Sequence, residues 1–187
     1  MRKLREGSDT IVQVGTAREA IDNVVQTPSV VLITDHGIHK EENEEILQRI
    51  VSYVRAGGTV VVGFFFPYNT NADQFEAFFE AFGLAWTMGA YTRAECWPNV
   101  GCNIENRAVF GNMPSNYHTK AVYVHGAKAD EKIYVDPFDL PPDSDRTEAI
   151  VARAKVGQGW LVYMGDVYFG EEFQDILLKL CGIDKNG

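Results

Sequence analysis

Asp35-His36-Gly37-Ile38-His39 puts a carboxylate and two of the four histidines within five residues. Imidazole and carboxylate groups exchange protons near neutral pH. The same donors can hold a transition metal with a coordination position left for substrate. On residue type, His36 or His39 is a candidate general base, with Asp35 and Asp166 as candidate catalytic partners. Asp35, His36 and His39 are also weak candidates for metal ligands. The His-x-x-His spacing on a turn does not force the two rings to converge, and the longer H-E-x-x-H motif is absent. The competing reading is structural: Asp35 or a neighbour caps the next helix and the histidines are solvated.

The elements that must position these groups are strongly patterned. "SVVLIT", residues 29–34, is a continuous aliphatic run, as expected of a strand covered on both faces. "EENEEILQRIVSYVRAGG" spaces Ile46, Ile50 and Val54 by four, with an acidic first turn and Gly57-Gly58 at its end, which predicts an amphipathic helix. "TVVVGFFF" follows as a second buried strand, ended by Pro67. Strand, helix and strand with short links form a βαβ unit with parallel strands and a right-handed crossover. Ligands in such sheets bind beyond the carboxyl ends of the strands. That rule selects residues 35–39, then Pro67-Tyr68-Asn69. It also selects Gly165-Asp166-Val167-Tyr168 if the strand at 160–164 runs parallel to the others. The candidate ligand-binding residues are Phe65, Phe66, Tyr68, Asn69, Trp86 and Tyr168, with Asp35, His36 and Asp166 as further polar contacts.

Elsewhere, "TIVQVG" is a short strand candidate and "TAREAIDNVVQT" a modest helix stopped by Pro28. "ADQFEAFFEAF" spaces Phe75, Phe78, Phe79 and Phe82 along one helix face, a core pattern. Residues 84–120 carry scattered aromatics and turn formers without a clear period. "KAVYVHGAKADEKIYVDP" and "TEAIVARAKVGQGWLVYMGD" each predict a hairpin, "PFDLPPDSD" a surface loop, and "EEFQDILLKLC" a final helix closed by Gly182. The expectation is one α/β domain over 1–187: a three-layer α/β/α sandwich whose mixed sheet has a parallel core and antiparallel hairpins.

Composition excludes several classes. The net charge of −9 repels nucleic acid, which needs a basic stripe. The polar start lacks a secretion signal, and no apolar run is long enough for a bilayer. Cys96, Cys102 and Cys181 are few and scattered, which points to a reducing, cytoplasmic setting. No G-x-S-x-G elbow or Walker phosphate loop occurs, and Gly157-Gln158-Gly159 reads as a hairpin turn. Cys96 could serve as a thiol nucleophile with His118 or His125 as base, although a buried, inert cysteine is the commoner case. Cys181 lies on the apolar side of the last helix.

"VVLITDHGIHKEENEEILQRIVSYVRAGGTVVVGFFF", the later "FGLAW" and "VGQGWLVYMGD" before a last helix resemble the class I glutamine amidotransferase-like superfamily. Within it they resemble the trehalose-utilisation-type (ThuA-like) branch, with many uncharacterised fungal-type domains. The resemblance covers residue 29 to the end and implies a flavodoxin-like fold. True amidotransferases of this superfamily carry a G-x-C-x-G elbow after the strand that follows the "GG" turn, and a His-Pro-Glu triplet after a late strand. The matching stretches here are Gly63-Phe64-Phe65-Phe66-Pro67 and Met164-Gly165-Asp166, so Phe65 stands at the nucleophile position and no histidine follows. Phenylalanine has no lone pair to attack an amide, so the resemblance excludes glutaminase chemistry at this point.

Two functions remain. One is a binding module, without a cofactor, that holds a small carbohydrate-like or aromatic molecule, a protein partner, or a second copy as a homodimer. The other is a hydrolase- or lyase-type enzyme working through His and Asp acid-base chemistry or a metal.

Overall fold

The computed structural model describes residues 2–8, 10–108, 113–137 and 148–183, and shows a mixed α/β fold. The helices are α1 (Arg2–Gly7), α2 (Ala17–Val24), α3 (Glu44–Arg55), α4 (Phe66–Asn69), α5 (Ala72–Ala81), α6 (Ile104–Arg107) and α7 (Glu171–Leu180). The strands are β1 (Val30–Ile33), β2 (Thr59–Val62), β3 (Thr87–Pro98), β4 (Tyr117–His125), β5 (Lys132–Val135), β6 (Ala149–Val156) and β7 (Gly159–Met164). They form one sheet in the order β1-β2-β7-β6-β4-β3-β5, and β5 also pairs with β6.

β1, β2 and β7 are mutually parallel, with Ile33 beside Val62 and Val62 beside Tyr163. The three selected stretches therefore do leave the sheet at one edge. Because side chains alternate across a strand, Val60 and Val62 face one apolar cluster and Val61 faces another. The first cluster takes buried residues of α3 and the four phenylalanines Phe75, Phe78, Phe79 and Phe82. The second takes Phe173, Ile176, Leu177 and Leu180 of α7. Local signals agree with this packing. Asn71 and Gln74 form a reciprocal capping box at the start of α5, and left-handed glycines follow α3, α5 and α7 at Gly57, Gly83 and Gly182.

Three expectations are corrected. "TIVQVG" forms no strand: residues 10–15 have no ladder partner among the described residues. The strand expected through 59–66 stops at Val62, because Phe64 adopts φ 57 and the chain then coils into α4. β4 and β5 do not form a hairpin with each other. The unassigned stretch contains β3, twelve residues long, which takes all of β4 from Thr87↔His125 to Cys96↔Tyr117 and then passes Trp97 and Pro98 to β5. β1 is the sheet margin, yet it packs on both faces as expected, with Val31 and Ile33 against the first cluster and Val30 and Leu32 against the second. The expected "PFDLPPDSD" loop lies, after Pro137, outside the described residues. The β6–β7 hairpin turns at Gly157-Gln158 as its spacing predicts.

Candidate functional site

The site is built where β2 and β7 end. After Val62 the chain reverses in one step: the Phe65 amide donates to the Thr34 carbonyl at 2.9 Å and the Phe66 amide to Gly63 at 3.0 Å. Phe64, held left-handed, sends its ring inward against Phe169 at 5.5 Å and Phe173 at 5.1 Å. Phe65 points outward and meets the edge of Phe169 at 5.3 Å. α4 then exposes Tyr68 and Asn69 while burying Phe66 and Pro67.

From β7, Gly165 leads to Asp166, whose carboxylate accepts from the Tyr168 amide at 2.8 Å and the Phe169 amide at 3.1 Å. Burial pushes the Asp166 carboxyl above its ordinary value, while hydrogen bonds from Thr119, Tyr168 and Phe169 act in the opposite direction. Asp166 thus shapes the turn and is buried beneath it; it is not available as a ligand contact. The Val167 amide donates to the Lys120 carbonyl at 3.0 Å, which stitches this turn to β4. On the neighbouring strand Tyr91 lies 6.0 Å from Tyr68, and the Lys120 ammonium sits 3.9 Å over the Tyr91 ring.

The result is a rim of four outward-facing rings: Phe65 (55% exposed), Tyr68 (61%), Tyr91 (45%) and Tyr168 (62%). Aromatic faces flanked by an ammonium group can stack on sugar rings or other flat molecules and orient them through hydroxyl groups. Tyr91 and Lys120 escape sequence reading because β3 has no usable period; only the β3–β4 register places them beside α4 and the Asp166 turn. Two expected pocket walls are corrected. Phe66 is wholly buried among Phe75, Phe78 and Phe79, and Trp86 is buried with its indole N–H donating to Glu131 at 3.2 Å. Both are core residues because the apolar face of α5 closes over them.

Asp35, His36 and His39 share one short turn but have different surroundings. Asp35 caps the 3-10 turn His36–His39 by accepting from the Gly37 amide at 2.7 Å, which matches the structural reading of its role. His36 is exposed, whereas the His39 ring packs on Phe66 at 5.2 Å with Nε2 3.4 Å from the Thr70 hydroxyl. Burial, and secondarily the charge of His36, holds the His39 imidazole below its ordinary value. Among the described residues, no three His, Cys, Asp or Glu side chains are grouped to hold a metal ion. Cys96 is fully buried and burial raises its thiol to about 12; Tyr117 stands opposite it, and His118 and His125 face solvent. The proposed thiol–imidazole pair is therefore corrected: these groups do not meet. Cys181 is likewise pushed up to about 12 by burial.

No protein-family model matches the chain, and no curated protein sequence matches it. Solved structures do share its fold. A protein described as ThuA-like from Bacteroides uniformis superposes with a TM-score of 0.61 at 13% identity, over 96% of this chain and 78% of its own. A cytoplasmic protein from Salmonella typhimurium gives 0.65 at 14% identity, over 97% and 84%. A β-galactosidase from Bacillus circulans gives 0.51 at 15% identity over 83% of this chain; the chain spans only 22% of that enzyme. The chain thus has a fold shared with ThuA-like proteins. No helix among the described residues is long and apolar enough to cross a membrane.

Proposed function

We propose that this chain is a glutamine amidotransferase-like domain of the ThuA-like type, a three-layer flavodoxin-like sandwich, that binds a small carbohydrate-like or aromatic molecule without glutaminase chemistry. The observation that carries this reading is the exposed rim of Phe65, Tyr68, Tyr91 and Tyr168 at the carboxyl ends of β2 and β7. Asn69 and Lys120 supply polar groups beside it. Such a combination of apolar surface with a few polar groups is the ordinary composition of a small-molecule site.

The absent nucleophile supports binding over amide chemistry. A nucleophile elbow holds its residue in a strained strand-to-helix turn. The left-handed residue after β2 is Phe64, one position before the residue nominated by the sequence resemblance, and both are phenylalanines. The likeness to part of a β-galactosidase, an enzyme of sugars, favours a carbohydrate ligand. The negative charge argues against nucleic acid as an alternative partner, and the cytoplasmic Salmonella protein of like fold supports a cytoplasmic setting.

The test is a calorimetric titration with mono- and disaccharides and their phenyl glycosides, on wild type and on Tyr68→Ala and Tyr168→Ala. Each ring contributes about 0.5–1.5 kcal/mol when stacked, so each variant should bind about two- to twelvefold more weakly with its melting temperature unchanged. Binding that ignores both substitutions would move the site elsewhere. Silence across the panel would discard the sugar-binding reading.

A further inference from the structure

Residues directly opposite on paired strands share a face, and so do alternate residues along each strand. The β3–β4 register therefore lines up Tyr91↔Val122, Arg93↔Lys120 and Glu95↔His118 on one face. It is the face turned away from α7, because Tyr117, Ala121 and Tyr123 point into the second cluster. α4 reaches this face through Tyr68, whose ring meets that of Tyr91. Arg93 and Lys120 thus stand side by side at the end of the aromatic rim, Arg93 exposed and Lys120 half-buried.

Two cations directly opposite each other repel. The chain holds 26 acidic against 17 basic side chains, so carboxylates are the commoner charge to set beside them. Among the described residues, however, no ion pair joins either cation to a carboxylate. Lys120 is fixed in another way. Its ammonium lies 3.9 Å over the Tyr91 ring, and its carbonyl accepts from the Val167 amide at 3.0 Å, one residue before Tyr168. An ammonium laid on one aromatic face keeps N–H donors for an anion. The basic patch spans a single cross-strand pair, with Glu95 next along β3 on one side and the Tyr91 ring on the other. It suits one anionic group rather than a row of them, and the net charge of −9 opposes a long polyanion.

We infer that the ligand of the rim is acidic: a ring lying against Tyr68 and Tyr91 that carries one pendant carboxylate or phosphate, held by Lys120 and Arg93. This rests on the reading of the rim as a small-molecule site; it adds the charge of the ligand and makes Arg93 a specificity residue. A guanidinium forks onto two oxygens and an ammonium adds a further charge-assisted contact, so either anion satisfies the pair.

Calorimetry on the full chain at low ionic strength compares phenyl β-glucoside, phenyl β-glucuronide and the 6-phosphate of phenyl β-glucoside. At least one acid should bind about fivefold or more tightly than the neutral glycoside, and which one does so separates carboxylate from phosphate. Arg93→Gln and Lys120→Gln should each cut that preference by about threefold or more. Salt at about 1 M, where the Debye length is about 3 Å, should erase it. Arg93→Gln should leave the melting temperature of the free protein in place or raise it, because the substitution removes a repulsion. A lower melting temperature would make Arg93 a structural residue and overturn its assignment. A neutral glycoside that binds as tightly as both acids, or a preference that survives both substitutions, would overturn the anion site and leave the aromatic rim standing. If no glycoside binds, neutral or acidic, the rim reading fails and this inference falls with it.

Discussion

His39 and Asp166 are titratable side chains near the sheet edge whose surroundings oppose their charged forms, and burial is the leading cause for both. For His39 the folded value lies below the unfolded one. Its contribution is therefore fully present above about pH 6.5 and is lost as pH falls through the folded value, where the unfolded chain already holds the proton. Urea unfolding between pH 7.5 and 5 should show a steeper loss for wild type than for His39→Gln. Parallel slopes would mean that the ring is solvated. Asp166 behaves differently, because its role is to accept two turn amides. Asp166→Ala should cost about 1–3 kcal/mol by leaving them unpaired, and Asp166→Asn, which keeps an acceptor oxygen, should cost less. Thermal denaturation of both variants at pH 7 decides the order.

The turn from β2 into α4 sets strain against packing. Phe64 sits at φ 57, a conformation that costs an L-residue roughly 1–2 kcal/mol. Burial of a phenylalanine against Phe169 and Phe173 contributes about 3–5 kcal/mol, so packing wins and the strain persists. Both truncations should destabilise. Phe64→Gly should nevertheless be about 1 kcal/mol more stable than Phe64→Ala, because glycine alone occupies that region freely. Denaturant midpoints of the pair test it; the reverse order would indicate a relaxed turn. The same strain explains why the "GFFF" run misleads as sequence. Its apolar residues read as continuous strand, but the backbone leaves the sheet at Gly63 and the third phenylalanine lands in the α5 core.

Across the whole molecule, β4, β6 and β7 converge on Gly165. Its amide donates to Ile150 at 2.9 Å, its carbonyl accepts from Val122 at 3.0 Å, and a Cβ there would overlap the Val122 carbonyl oxygen. Gly165→Ala should cost about 3 kcal/mol and lower the melting temperature by roughly 6–12 °C, splitting the antiparallel half from the parallel half. A small shift would show that the strands can spread. The sequence by itself determined the parts of the chain governed by local periodicity: β1, β2, the α3 stripe, the α5 phenylalanines, the β6–β7 turn and α7. It also placed Asp166 and Tyr68 at one sheet edge, because parallel strands joined by a helix leave few alternatives. Only the tertiary structure decided which side chains share that edge. Phe65 and Phe66 are chemically identical and adjacent, yet one backbone reversal exposes the first and buries the second. Tyr91 and Lys120 join Tyr68 only through the register of β3 on β4, a long-range choice set by cross-strand packing, which no short window of sequence encodes.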